Sequence, residues 1–317
     1  MIARELISTP SFAAEVEQGL TSDPKTLPSK LFYDAAGSAL FEKITELPEY
    51  YLTRTELGIL QRHASAMAQA VGPDSTIVEL GAGTAAKTCT LLRAFANRQM
   101  RVLYFPVDIS WAALAEARER VSQKVPQAHV RPVVADFSGG FGFLRDLPGR
   151  KLVLYLGSSI GNFETPAAVA LLRSVRNELS AGDSLLLGTD LAKDPSILLP
   201  AYDDAQGVTA EFNKNILRRI NHDLDADFDL DCFRHVARWS AAQSRMEMHL
   251  ESLEPQTVHL RSLNLRVKLA SRELTHTENS YKYTLASVRE MLKASGFSLQ
   301  KSWLDRRKWF AVHLAQV

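Results

Sequence analysis

The run Thr76-Ile-Val-Glu-Leu-Gly-Ala-Gly-Thr84 limits the fold more than any other stretch of this chain. An apolar strand that breaks into Gly-x-Gly presents backbone N–H groups to a ligand, because glycine has no Cβ in the way. Gly81, Gly83 and Ala86 satisfy a G-x-G-x-x-G/A fingerprint. Asp108 closes the next apolar run, at the distance where an acid takes the hydroxyls of a ribose. The expectation is an α/β fold with a nucleoside cofactor. By itself the fingerprint serves dinucleotides and S-adenosylmethionine alike.

The surrounding chain narrows the choice. A helical stretch, Leu57–Val71, precedes a first strand at Ser75–Gly81, a helix at Lys87–Ala96 and a second strand at Arg101–Asp108. Ser110 is placed to cap a helix that stops before Pro126, and His129–Asp136 reads as a third strand. The apolar run in Lys151–Gly157 suits a strand buried on both faces of a parallel sheet. Thr165 reads as an N-cap with Pro166 at the first helical position, opening a helix that ends at Gly182, and Asp183–Asp190 is a fifth strand.

The rhythm then breaks: residues 195–222 look helical, and 235–284 alternate like strands, as in Arg245-Met-Glu-Met-His-Leu250. It resumes with a helix at Leu285–Ser295, Gly296 at its end, and strands near Ser298–Leu304 and Trp309–Leu314. A last helix followed by an antiparallel pair fits the Rossmann-like, class I S-adenosylmethionine-dependent methyltransferase core better than the second parallel half of a dehydrogenase. The predicted core is 57–191 with 285–317, and 1–56 with 192–284 form a discontinuous α+β accessory domain for the substrate.

Composition removes several classes. The 37 Lys and Arg nearly balance 36 Asp and Glu, so no long-range field favours nucleic acid or an anionic membrane. Two cysteines, Cys89 and Cys232, make neither a disulfide framework nor a four-thiolate zinc site, and Cys89 reads as a small buried hydrophobe. The eight histidines lack metal-site spacing, so no metal is expected. No apolar run has transmembrane length, and Met1-Ile-Ala-Arg-Glu-Leu is unlike a signal peptide. A cytoplasmic monomer acting on a small molecule is the expectation.

Candidate chemistry clusters at the strand ends, where open α/β sheets bind ligands. Asp108 suits the ribose, Asp136 the adenine amino group, and Phe137 the face of the base. Either Asp alone would more simply cap a helix; the series favours the cofactor. Lys87 is either a surface lysine or a reach to the cofactor's carboxylate. Gly157-Ser-Ser-Ile-Gly161 matches the G-x-S-x-G elbow of serine hydrolases, with Ser159 as nucleophile. That elbow needs a helix immediately after the serine, and Thr165-Pro166 starts one too late. A glycine-rich substrate loop fits better, with the Asn162 amide fixing an amino acid's head group. Tyr33, Tyr50, Tyr51 and Tyr202 lie in polar, turn-like settings, each individually more structural than functional. Glu278 and Ser280, two apart on a strand, share a face that suits a polar ring or a solvated edge.

Together Leu31-Phe-Tyr-Asp34, Leu47-Pro-Glu-Tyr-Tyr51, Thr53-Arg-Thr-Glu56, Gly157-Ser-Ser-Ile-Gly-Asn162, Ala201-Tyr-Asp-Asp204 and His235-Val-Ala-Arg-Trp239 resemble the histidine-specific methyltransferases of ergothioneine biosynthesis. The likeness extends over essentially the whole chain. It implies three successive methylations of the α-amino group of L-histidine, giving hercynine, with S-adenosylmethionine as donor. By position it implies Gly81, Lys87, Asp108, Asp136 and Phe137 for the cofactor, and Tyr33, Gly157, Asn162 and Tyr202 for the amine and carboxylate. Tyr50, Glu278 and Ser280 would read the imidazole, with Met248 lining the side-chain pocket; Tyr33 and Asn162 are the catalytic candidates. Another aromatic or imidazole amino acid is the alternative substrate.

Overall fold

The computed structural model describes residues 11–317; the Met1–Leu6 segment considered above lies outside them. Along the chain run α1 (Phe12–Thr21), α2 (Ala35–Glu46), α3 (Tyr51–Val71), β1 (Ser75–Leu80), α4 (Thr88–Ala96), β2 (Val102–Asp108), α5 (Trp111–Lys124), β3 (Ala128–Val130) and β4 (Val133–Val134). There follow β5 (Arg150–Tyr155), α6 (Thr165–Asn177), β6 (Ser184–Asp190), α7 (Pro195–Leu198), α8 (Val208–Leu224), β7 (Phe233–Ser240), β8 (Arg245–Ser252), β9 (Gln256–Leu260), β10 (Leu265–Leu269), β11 (Leu274–Tyr281), α9 (Leu285–Ala294), β12 (Ser298–Leu304) and β13 (Phe310–Gln316). These form two compact units, one of residues 52–192 with 282–317, the other of the described residues through Tyr51 with Lys193–Tyr281.

The first unit is built on one sheet of order β12-β13-β6-β5-β1-β2-β3, with β4 also on β2. Strands β6, β5, β1, β2 and β3 are parallel, and β13 enters antiparallel between β6 and β12. This is the α/β fold of class I S-adenosylmethionine-dependent methyltransferases. Every residue of β1 is buried, as are all of β5 after Arg150, which for β5 matches the apolar run Leu152-Val-Leu-Tyr155. The chain leaves β1 to one side for β2 and returns on the other side as β5. The carboxyl ends of β1 and β5 therefore flank the sheet's switch point, where such folds bind ligands. Glu79 is level with Leu154, so the turns at Gly81 and Gly157 leave the sheet at nearly the same height.

Four local expectations need correction. The third strand is split, because Pro132 has no N–H for the ladder and separates β3 from β4. Thr165 is the first helical residue of α6, not its cap; Glu164 holds the cap position without a side-chain bond. Residues 195–222 are interrupted after α7, since Asp204 folds back to cap the Val208 and Thr209 N–H groups at 3.0 and 2.7 Å and so starts a new helix. Helix α3 begins at Tyr51 rather than Leu57, which carries Thr53–Glu56 into the first unit.

The second unit joins the antiparallel sheet β11-β8-β7 and the hairpin β9-β10 to α1, α2 and α8. Helix α8 buries Phe212, Ile216, Leu217, Ile220 and Leu224 at helical spacing. On the same side Asn215 donates to Asp34 Oδ1 at 2.9 Å, and Asp34 caps α2 by accepting from the Gly37 N–H at 2.7 Å. That pair fixes the short segment carrying Tyr33. Among the described residues no helix is long and apolar enough to cross a membrane.

Candidate active site

The glycine turn after β1 is held from both sides. The N–H groups of Gly81 and Ala82 donate to the Val107 carbonyl at 2.9 and 3.1 Å, tying the turn to the end of β2. Asp108 accepts from the Gly83 N–H at 2.9 Å and from the Ser110 N–H at 2.9 Å. The acid expected at a ribose thus also braces the loop and the start of α5. Gly81 and Gly83 have φ of +66° and +50°, a region that favours glycine. A Cβ on Gly81 would meet only the tip of Phe137, 4.0 Å away, and one on Gly83 would meet nothing within 4 Å. The N–H groups of Gly81, Ala82 and Gly83 are thus used within the protein, and the turn offers open space with a carboxylate beside it. That space fits a nucleoside with a short amino-acid tail, so Gly81, Asp108 and Phe137 suit S-adenosylmethionine.

Phe137 stands on an aromatic base. Its ring lies 5.7 Å from Phe141 and 5.9 Å, edge-on, from Tyr155, whose hydroxyl burial pushes far above its ordinary range. Asp136 precedes it at the start of a short 3-10 turn, Phe137–Gly139. Behind the cradle Glu79 is buried, accepting from Thr88 Oγ1 at 2.6 Å and from the Tyr104 hydroxyl in a short bond. Burial pushes its pKa up to about 7, against the pull of those two donors. The carboxyl links β1, β2 and α4 under the turn.

The turn after β5 is organised by a residue to which sequence reasoning assigned no role. Glu56 of α3 is fully buried, and its two oxygens accept from the Gly157 N–H at 2.8 and 3.0 Å. Its Oε2 also pairs with the Lys87 ammonium in a short contact. The lysine is an internal ion partner, 22% exposed along its side chain, rather than a freely solvated surface residue. Gly157 has φ +82°, and a Cβ there would lie 3.1 Å from Lys87 Nζ. Ser158 is left-handed, at φ +61°, with its Oγ accepting from the Asp190 N–H at 2.9 Å. Asn162 ends the 3-10 turn Ser159–Asn162, half-buried. Ser159 Oγ donates to the Leu156 carbonyl at 3.2 Å, and α6 starts six positions later, so the hydrolase elbow is not formed.

In the second unit, Tyr33, Phe41, Phe212 and Tyr50 form one aromatic cluster, with Phe41 5.8 Å from Tyr33 and 6.1 Å from Tyr50. Tyr51 is engaged elsewhere: its hydroxyl accepts from Lys193 Nζ at 2.7 Å, and the ammonium lies 4.5 Å from its ring centre. Tyr202 and Ser280, expected at opposite ends of the substrate, are joined by a 2.7 Å hydroxyl–hydroxyl bond. Glu278 lies opposite Met248 in the β11–β8 register, after a bulge at His276/Glu278, so these two of the four imidazole-pocket candidates are neighbours. His235 holds Tyr202 in place. Asn213 Nδ2 donates to its Nδ1 at 2.8 Å, leaving Nε2 as the donor to the Tyr202 carbonyl at 2.7 Å. Burial lowers the His235 pKa, which keeps that neutral tautomer.

A family model described as histidine-specific methyltransferase, SAM-dependent, matches residues 12–317. The chain belongs to this family. Histidine N-alpha-methyltransferase of Mycolicibacterium smegmatis is 42% identical over 301 residues, 95% of this chain and 93% of that one. Ergothioneine biosynthesis protein 1 of Neurospora crassa is 37% identical over 204 residues, covering 62% of this chain and 23% of that one. The 4-dimethylallyltryptophan N-methyltransferase of Claviceps fusiformis is 29% identical over 320 residues, 93% of this chain and 89% of that one.

For a histidine-specific methyltransferase the sequence pointed to the glycine turns, Asp108 and the tyrosines, and missed Glu56, Glu79, Phe41 and His235. One signal was present. Glu56 is four residues after Leu52 and three before Ile59, an acid inside the buried stripe of an amphipathic helix. Among the described residues no group of three or more His, Cys, Asp or Glu could hold a metal ion.

Proposed function

We propose that this chain transfers three methyl groups, one after another, from S-adenosylmethionine to the α-amino group of L-histidine. The observation that carries the choice of histidine is the placement of Glu278 beside Met248 and two residues from Ser280 on β11. A carboxylate and a hydroxyl can together satisfy both ring nitrogens of an imidazole. An indole, with one N–H, would leave one of them unpaired at a cost of about 1–3 kcal/mol. The similarity to the Mycolicibacterium and Neurospora proteins supports the reaction.

The donor would be held by Gly81, Lys87, Asp108, Asp136 and Phe137, and when bound it supplies an electrophilic sulfonium methyl. The remaining work is done by the chain's own groups. Glu56 takes the Gly157 N–H, so the group Gly157 has left to offer is its carbonyl, an acceptor for an amine N–H. With Tyr33 it orients the nitrogen lone pair, while Asn162 and Tyr202 hold the carboxylate and Tyr50 packs on the ring. Alignment of this kind can contribute about 7–11 kcal/mol to such a reaction. No side chain is assigned as general base; a nearby positive charge lowers the amine's pKa, and water takes the proton. A neutral amine has two N–H groups, its methylated successors one and then none. The trimethylated product therefore has no N–H for the Gly157 carbonyl, which favours its release. We propose further that the protein works as a cytoplasmic monomer.

Incubation with S-adenosylmethionine and the twenty amino acids, read by mass spectrometry, tests the reading. A gain of three methyl groups on histidine alone is expected. Methylation of tryptophan or another aromatic amino acid in its place would establish the alternative substrate, and no methylated product at all would refute the assignment.

A further inference from the structure

We infer that Glu56 is a positioning residue of the methyl-transfer site, one that acts through Lys87 and Gly157 without touching substrate itself. The inference rests on the reading that Lys87 holds the donor and Gly157 the amine. Three features of the structure support it. The carboxylate has no exposure, and burying a charge is costly unless it is paired and hydrogen-bonded. Here both oxygens go to groups proposed for ligand binding, the Gly157 N–H and the Lys87 ammonium. Space for it comes from Gly188 on β6, since a Cβ there would sit 2.2 Å from Glu56 Oε1 and 3.3 Å from the Gly157 nitrogen. Glycine at 188 is required by this close approach, with Leu156 Cα also 3.3 Å from such a Cβ, and not by its backbone conformation, since its φ is ordinary.

The consequence is mechanical and electrostatic. A lysine on a flexible stem is held in one direction by a fixed anion, with its remaining N–H donors available to a ligand carboxylate. The anion also offsets the ammonium's charge, so a cationic donor can bind nearby without facing an uncompensated positive charge. Gly157 is fixed at the same moment, because the same two oxygens hold its N–H. One carboxylate thereby couples the turn after β5 to the residue that precedes α4.

The test is a double-mutant cycle on cofactor affinity, with turnover as a second readout. Glu56→Gln keeps the shape but turns an amide toward Lys87, and Lys87→Met removes the other partner. By calorimetry each is expected to weaken S-adenosylmethionine or S-adenosylhomocysteine binding at least tenfold. The double variant is expected to bind no worse than the weaker single one, because the lysine's contribution depends on the glutamate. Gly188→Ala, which pushes on the same carboxylate from β6, is expected to lower kcat at least tenfold with a far smaller rise in the KM for histidine. A purely structural Glu56 would lower the melting temperature and leave the affinity of folded protein unchanged. Wild-type affinity in folded Glu56→Gln, or losses that multiply in the double variant, would overturn the inference. If Glu56→Gln does not fold, the decision passes to Gly188→Ala, where wild-type kcat would overturn it. Wild-type protein that neither binds the donor nor methylates histidine would instead refute the underlying reading.

Discussion

Replacing Glu79 by glutamine should change how stability depends on pH, by an amount the structure allows to be worked out. Glu79 is 1% exposed, and burial raises its carboxyl from 4.5 to about 7 in the folded state. A folded pKa above the unfolded one means the folded state keeps its proton longer. The contribution to stability is therefore complete below about 4.5 and lost as pH rises through about 7. At about 1.4 kcal/mol per unit, a shift from 4.5 to about 7 corresponds to a loss on the order of 3 kcal/mol. Glutamine fills the same space, still accepts from Thr88 or Tyr104, and does not titrate. Urea unfolding of both proteins from pH 5 to 8 isolates the effect, since the buried histidines titrate equally in each and cancel. Wild type minus variant should fall across this range and flatten above it. A difference that stays flat would show that Glu79 is ionised throughout, stabilised by its two donors and by Lys87 more than burial penalises it.

Three further substitutions probe the proposed roles. Asp108→Ala deprives the Gly83 and Ser110 N–H groups of their acceptor, so calorimetry should show a loss of at least tenfold in S-adenosylmethionine affinity, with the KM for histidine much less affected; the reverse pattern would mean the two sites are misassigned. Glu278→Ala should raise the KM for histidine by the equivalent of about 1–3 kcal/mol and narrow its advantage over tryptophan; an unchanged preference would remove Glu278 from ring recognition. Asn162→Ala should lower kcat/KM for histidine by a similar amount, measured by methyl transfer, and unaltered kinetics would exclude it from the site.

What the sequence disclosed and what it hid differ by the distance over which each feature is specified. The runs Val102–Asp108 and Lys151–Tyr155 are buried on both faces, so their apolar character alone marks them as strands, and β12 spans the expected Ser298–Leu304. Gly81 and Asp108 are legible for the same reason, because a turn and a strand end are local. Glu56 is not local: its meaning lies in Gly157, 101 residues away, and in Gly188 beyond that. A helix begun at Leu57 leaves Glu56 in a loop, where an acid needs no explanation. Begun at Tyr51, it puts the same acid on the buried face, where an unpaired charge would be too costly to keep. His235 follows the same logic, since a buried imidazole between Asn213 and the Tyr202 carbonyl shows in sequence only as one histidine on an alternating strand. A charged or imidazole side chain on an apolar stripe thus requires a partner elsewhere in the chain. The sequence states that requirement, and only the fold names the partner.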